Sequence, residues 1–104
     1  MPEFCSSLPS SVKAERKLTK SELIRAIRYM IAAEYEAAGL YTQLIDSIDC
    51  ERSKAVLEDI ADEERVHAGE FLRLLKELAP DEFAHYDAGA KEVEALLKKV
   101  AAEQ

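Results

Sequence analysis

Two long apolar stripes of helical period dominate this sequence. Apolar residues recur at steps of three and four over residues 20–48, and again over residues 52–79. Such spacing is typical of one face of an α-helix. The pattern is broken only by Asp49, Cys50 and Glu51. Because so short a connection makes sequential helices antiparallel neighbours, the sequence predicts a helical hairpin.

Capping residues and proline set the expected ends of the two helices. Thr19 and Glu22 fit a capping box, in which each side chain accepts a hydrogen bond from the backbone N–H of the other residue. The first helix is therefore expected over about residues 20–48. The second is expected over about residues 52–79, because Pro80 cannot continue it.

The hairpin is one of three expected regions. Residues 1–18 contain two prolines and four serines without a helical period, so we expect a flexible N-terminal tail. Residues 19–79 form the hairpin. In residues 80–104 we expect a weak first part, an interruption at Gly89 and an amphipathic helix from about Lys91. The fold class is therefore all-α, with a C-terminal helix added to the hairpin.

Composition excludes several kinds of function. The net charge is −7 and no stretch concentrates Lys or Arg, so the basic surface of a nucleic-acid-binding protein is missing. No apolar run reaches the roughly 18 residues that a membrane span needs, and we expect a soluble, intracellular protein. Cys5 and Cys50 lack the spacing of a zinc or rubredoxin site, so both are interpreted as incidental.

Three polar residues interrupt the stripes at positions that should face the core. Glu34 lies seven residues from both Ile27 and Tyr41, which places a carboxylate on the inward face of the first helix. In the second helix, Glu64 takes an inward position in the same way, and His67 lies one turn further along the same face. Each of these groups needs a partner inside the protein.

The three groups should also lie at one depth in the hairpin. Residues on two antiparallel helices that turn near residue 50 share a level when their numbers add up to about 100. Glu34 meets this condition with both Glu64 and His67. An unpaired buried carboxylate costs several kcal/mol, so such a group is protonated, paired with a cation or bound to metal. Carboxylates with one imidazole suit iron, and manganese is a second candidate.

The ligand set is half of a known arrangement. A di-metal carboxylate bundle takes one Glu from each of two helices and a Glu-x-x-His pair from each of the other two. Glu34 and the Glu64 to His67 pair supply half of that set. The sequence therefore predicts a homodimer, in which a two-fold axis completes a four-helix bundle.

At these residues the sequence resembles the ferritin-like superfamily, and within it the encapsulated ferritins and rubrerythrin-like half-length proteins. The resemblance covers about residues 19–78, with its strongest parts at Ala-Glu-Tyr-Glu-Ala over 33–37, at 41–46, and at Asp-Glu-Glu-Arg-Val-His-Ala over 62–68. It implies a ferritin-like bundle that acts as a ferroxidase, oxidising Fe(II) to Fe(III) with oxygen or peroxide.

The resemblance also implies site residues and partners. Glu34, Glu64 and His67 would be both metal ligands and catalytic residues of a di-iron site shared by two subunits. Dimers would assemble further, in the manner of a ring of dimers, and act in iron storage as cargo of an encapsulin shell, within the cytoplasm or the nanocompartment. Glu36 and Glu70 are candidates for outer metal-uptake positions, although Ala33 stands where encapsulated ferritins commonly carry an acidic residue.

Two alternatives remain open at this point. A rubrerythrin-like di-iron protein would reduce peroxide, but it would need an external electron donor because the sequence has no Cys-x-x-Cys pair. A non-catalytic helical dimerisation module would keep Glu34 and Glu64 protonated or paired and would bind no metal tightly.

Overall fold

Three α-helices make up the described part of the chain. A computed structural model describes residues 16–103, so most of the expected N-terminal tail, with Cys5, lies outside the described residues. The helices are α1 (Lys20–Ile45), α2 (Glu51–Leu78) and α3 (Pro80–Glu103), and residues 16–103 contain no strand. The predicted all-α hairpin with a third helix is confirmed. None of these helices is both long and apolar enough to cross a membrane.

The N-terminus of α1 is fixed by the predicted capping box. The Thr19 hydroxyl accepts a hydrogen bond from the Glu22 N–H at 3.2 Å, and the Glu22 carboxylate accepts one from the Thr19 N–H at 2.9 Å. Arg16 adds a bidentate ion pair to Glu22, with both N···O distances at 2.6 Å. The Arg16 side-chain hydrogen bonds are the largest of the causes that lower the pKa of Glu22 to about 2.

The connection between α1 and α2 is longer than predicted. Helix α1 ends at Ile45, whereas the apolar stripe predicted an end near Ile48. The Ser47 N–H bonds to the Leu44 carbonyl at 3.0 Å, only three residues back, and the Ser47 hydroxyl donates to the Gln43 carbonyl at 2.8 Å. The Gln43 carbonyl, which the Ser47 N–H would pair with in a continuing helix, is thus satisfied by a side chain. Helix α2 begins at Glu51, one residue earlier than predicted.

The packing between α1 and α2 is thin. Its centre is a cluster of Ile27, Ile31 and Leu75, of which Leu75 is only 2% exposed. The other buried contacts use small side chains, which let the helix axes approach closely: Ala26, Ala38, Ala61 and Ala68. A core of this size leaves much apolar surface uncovered, which favours association with another subunit.

Helix α3 is continuous, and the prediction of an interruption at Gly89 with a helix from about Lys91 was wrong. Pro80 both ends α2 and starts α3, because its fixed φ and missing N–H suit the first position of a helix. A single internal Gly costs about 1 kcal/mol relative to Ala, which a helix of 24 residues tolerates. Gly89 also has no neighbouring atom within 4 Å of where a Cβ would lie.

Only the first turns of α3 are attached to the hairpin. Phe83 packs against the core cluster and meets Tyr86 edge to face, with ring centroids 4.9 Å apart. Glu82 accepts hydrogen bonds from Arg28 of α1 and from the Tyr86 hydroxyl. Beyond this anchor α3 projects away, and it has no buried residue. The radius of gyration is accordingly 18.4 Å, against about 13 Å for a compact domain of this length.

We predict that Glu22→Gln lowers the melting temperature at pH 7, and that the difference from wild type shrinks as the pH falls from 5 to 2. The folded pKa is depressed from 4.5 to about 2, so the stabilisation is complete above pH 4.5 and is lost as the pH falls through 2. Thermal unfolding followed by circular dichroism at a fixed protein concentration measures this difference in melting temperature. Glu94→Gln, in exposed α3, is the control; a pH-independent difference for Glu22→Gln contradicts the prediction.

We also predict that Gly89→Ala raises the helix content and adds up to about 1 kcal/mol to the free energy of unfolding. The site is helical and has room for a methyl group. Circular dichroism with urea unfolding tests this, and Ala90→Gly should lower both quantities. Loss of helicity in Gly89→Ala would mean that the helix does not continue through this residue.

Candidate metal centre

A buried carboxylate oxygen without a partner lies in the middle of α1. The Glu34 side chain is 17% exposed, and its Oε2 is buried without a hydrogen-bond partner. Buried polar atoms in folded proteins are nearly always hydrogen-bonded, because leaving one unpaired costs about 1–3 kcal/mol. The unpaired oxygen therefore needs a functional explanation, and a bound cation or proton would provide one.

Helix α2 places its two predicted site residues opposite Glu34. His67 Nδ1 lies 3.6 Å from Glu34 Oε2 and 3.9 Å from Glu64 Oε2. One ligand atom from each of the three residues falls within 4.8 Å of the others. Glu64 is 20% exposed and His67 is 48% exposed. The structure thus brings together the three residues that share a level in the sequence, while their role as metal ligands stays a prediction.

The electrostatics of the cluster disfavour two charged carboxylates without a cation. The pKa of Glu34 is raised, first because only a neutral acid could share a hydrogen bond with the adjacent Glu64 carboxylate, then by desolvation, and then by the negative charge of Glu64. A charged His67 acts in the opposite direction. A divalent cation between the carboxylates would remove this repulsion and would pair the free oxygen of Glu34.

The donor set fits iron. Two carboxylates and one imidazole are hard and intermediate ligands, a combination typical of iron and manganese sites in helical bundles. The Glu64 to His67 spacing presents both side chains to one ion from the same helix. The hairpin thus brings together three side chains that could hold a metal ion.

The cluster opens onto an apolar surface, here called the open face. Its exposed members lie on the same side of α1 as Glu34 and of α2 as His67, judged from helical periodicity: Leu23, Met30, Leu44, Val56 and Leu74. Exposed apolar side chains along one face are typical of surfaces that bind another protein.

Other candidate residues lie outside the cluster. Glu36 and Glu70 are exposed, and neither belongs to the three-residue group. Cys50 is the N-cap of α2 and accepts a hydrogen bond from the Ser53 hydroxyl at 3.1 Å, which is the main cause that lowers its pKa. Across residues 16–103 no second group of three His, Cys, Asp or Glu ligands comes as close together.

An antiparallel hairpin with an inward carboxylate and imidazole cluster defines a helical protein of the ferritin-like class. A comparison with protein families agrees, since residues 26–103 match the Rubrerythrin family model. The chain belongs to the rubrerythrin family.

The proteins similar to this chain include three whose names refer to encapsulins or to encapsulated ferritin. The encapsulated ferritin domain of Pyrococcus furiosus, known from a crystal structure, is 35% identical and superposes with a TM-score of 0.80 over 88% of this chain and 93% of that one. The encapsulin nanocompartment cargo protein EncC of Myxococcus xanthus (strain DK1622) is 47% identical over 70 residues, which are 67% of this chain. The ferritin-like-encapsulin shell fusion protein of P. furiosus is 35% identical over 88 residues, or 85% of this chain.

The chain spans only part of the two curated relatives. The aligned segments are 54% of EncC and 26% of the shell fusion protein. The similarity therefore concerns the helical domain, and the properties of the whole relatives do not transfer automatically.

We predict that Glu34→Gln raises the melting temperature of the metal-free protein at pH 7. A carboxyl whose pKa is raised on folding destabilises the folded state once it ionises, so wild-type stability should increase as the pH falls from 7 towards 4.5, and the mutant should lack this increase. Thermal unfolding in the presence of a metal chelator, recorded between pH 7 and pH 4.5, measures the melting temperatures of wild type and mutant. Glu36→Gln, two residues away and exposed, is the matched control, and a destabilised Glu34→Gln would contradict the prediction.

Proposed function

We propose that the protein is a ferroxidase that oxidises Fe(II) to Fe(III) at a di-iron site shared by two copies of the chain. The observation that carries the proposal is the buried, unpartnered Oε2 of Glu34, which lies within reach of His67 and Glu64. A cation at this point would satisfy an oxygen that accepts no hydrogen bond within the described chain.

The shared site follows from the ligand count and the open face. A hairpin that offers two carboxylates and one imidazole can hold one ion weakly, whereas two hairpins related by a two-fold axis offer four carboxylates and two imidazoles. That pairing would also cover the exposed apolar side chains around His67. Metal binding and burial of the open face would then stabilise the same dimer.

Each ligating residue has a distinct role in the proposed reaction. Glu64 would bridge or chelate the two ferrous ions, Glu34 would bind from the facing helix, and one His67 would hold each ion. The two ions give up one electron each. Oxygen with two protons then becomes hydrogen peroxide, or hydrogen peroxide with two protons becomes two waters. A carboxylate binds iron in its ionised form, and the pKa of Glu34 is raised, so loading should be favoured by rising pH.

Charge and the relatives suggest a setting for this activity. The net charge of −7 would raise the local concentration of ferrous ions. The names of EncC and of the shell fusion protein describe an encapsulin cargo and a fusion to an encapsulin shell. We propose that this protein likewise works inside an encapsulin nanocompartment, where the oxidised iron is stored.

Membership of the rubrerythrin family supports a second candidate, reduction of peroxide with electrons from a donor protein. The residues would be the same, but the iron would cycle and would not accumulate. Cys5 and Cys50 are far apart in the sequence, which offers no rubredoxin-type pair, so an external donor would be required. Repeated additions of iron would distinguish the two functions, because a mineral would grow only if the protein is a ferroxidase that stores iron.

We predict about one iron per chain after anaerobic ferrous loading, followed by oxidation on exposure to air. Glu64→Ala removes a bridging carboxylate, so it should lose both bound iron and rapid oxidation. Native mass spectrometry with metal analysis and absorbance in the near ultraviolet measure these quantities.

Glu63→Ala changes the neighbouring, exposed carboxylate and is the matched control. Equal iron content and equal oxidation rates in wild type and Glu64→Ala would contradict the proposed site. A metal-free dimer that is indifferent to the mutation would support a non-catalytic dimerisation module.

A further inference from the structure

A single residue connects α3 to the hairpin. Ala79 alone lies between the end of α2 and the start of α3, with φ −138° and ψ 64°. Pro80 has no backbone N–H, so α2 cannot run straight into α3 without losing a helical hydrogen bond. The direction of α3 therefore depends on rotation at Ala79 and on the side chains that hold the first turns of α3.

Three of these side chains form a charged cluster, here called the latch: Arg28, Glu82 and Tyr86. Arg28 Nε donates to the two carboxylate oxygens of Glu82 at 3.0 and 3.2 Å, and both Arg28 Nη2 and the Tyr86 hydroxyl also donate to this carboxylate. Arg28 and Met30 point about 200° apart around α1. Because Met30 belongs to the open face, the latch holds α3 at the edge of the hairpin that lies away from the open face.

The side of α3 that touches the hairpin continues as an uncovered apolar face. Phe83 packs against the core cluster. Ala90, Val93, Leu97 and Val100 follow Phe83 at steps of seven, three, four and three residues, which keeps them on the same side of the helix. These four residues are here called the α3 strip. Val93 is 53% exposed and Leu97 is 61% exposed, and no residue of α3 is buried.

Folding α3 back along α2 would place the α3 strip beside the candidate metal centre. Residues of two antiparallel helices that turn at Ala79 share a level when their numbers add up to about 158. The α3 strip, over residues 90–100, would then lie level with residues 58–68, which include Glu64 and His67. Helix α3 has 24 residues and α2 has 28, so α3 is long enough to reach these positions.

The charges at these levels are complementary. Lys98 and Lys99 of α3 would come level with Ile60 and Asp59 of α2, and Glu63 lies one turn further along α2. These four charged residues are exposed, and the ion pairs found within residues 16–103 include none of them. The contact would form within one chain, so it would not pay the entropy cost of association.

We propose that α3 is a lid for the candidate metal centre, which the latch of Arg28, Glu82 and Tyr86 holds in the open position. When the latch is released, rotation at Ala79 lets the α3 strip pack on the open face of the same chain and cover His67. The closed lid and a second hairpin would compete for the open face. The lid would therefore regulate formation of the shared site, a consequence that rests on the proposed function, whereas the closed lid itself needs neither metal nor a second copy.

Distances between two spin labels, measured by pulsed electron paramagnetic resonance, test the lid in the full chain without metal. Arg52→Cys and Ala102→Cys carry the labels, in a background with Cys5→Ser and Cys50→Ser. Excess unlabelled chain ensures that only distances within one chain are recorded. A closed lid brings the labels within about 25 Å. The open form, which extends over 59 × 45 Å, gives a clearly longer distance.

We predict that Arg28→Ala raises the short-distance population at least threefold over wild type, because charged hydrogen bonds that hold the open form are lost. Arg28→Glu combined with Glu82→Arg should restore the wild-type distances. Arg73→Ala breaks an exposed ion pair with Glu77 inside α2 and is the matched control. Distances that stay unchanged in Arg28→Ala, or that broaden without a short component, would overturn the proposal.

The apolar contact of the closed lid has its own test. Leu97→Asp, added to Arg28→Ala, should remove the short-distance population, since an exposed strip residue would then carry a charge to the open face. Persistence of the short distance would exclude the α3 strip as the contact. All these measurements are made in a metal chelator, so loss of iron binding in wild type would count against the proposed function alone.

Discussion

The two carboxylates that face each other across the hairpin are the constraint on which the rest of the molecule depends. Glu34 and Glu64 are held at one level by the packing of α1 on α2, with His67 beside them and one oxygen of Glu34 left without a partner. A protein that evolved only for stability would replace such a group with an apolar side chain, since burying it unpaired is unfavourable. The hairpin keeps it in place, and the raised pKa of Glu34 records the electrostatic strain of the metal-free state.

The core of the same hairpin is thin. Its central cluster has three large side chains, and the remaining buried contacts between α1 and α2 are made by alanines. Small side chains bring the helices close enough for the ligands to converge, but they bury little apolar area. The uncovered open face and the exposed apolar side chains of α3 are the consequence. Association with a second copy through the open face would cover part of this surface and would complete the proposed metal site.

Much of this could be predicted from the sequence, because the determining signals are local or periodic. The stripes predicted the hairpin, Thr19 and Glu22 predicted the start of α1, and the level match of Glu34 with Glu64 predicted the cluster. The two wrong predictions, the end of α1 and the start of α3, rested on weak signals in the sequence. The end of α1 depends on hydrogen bonds of Ser47 to the backbone, and the continuity of α3 depends on a glycine penalty too small to break a long helix. The anchor of α3 could not be predicted, because Arg28 and Glu82 are 54 residues apart and no pattern connects them.

The most direct test of the account is a crystal structure of the iron-loaded protein with anomalous diffraction recorded at the iron absorption edge. We predict two iron ions about 3.5–4 Å apart between two hairpins, each bound by Glu34, Glu64 and His67 side chains drawn from both copies. Iron bound by a single hairpin, or bound at surface carboxylates while Glu34 keeps an unpaired oxygen, would contradict the shared site.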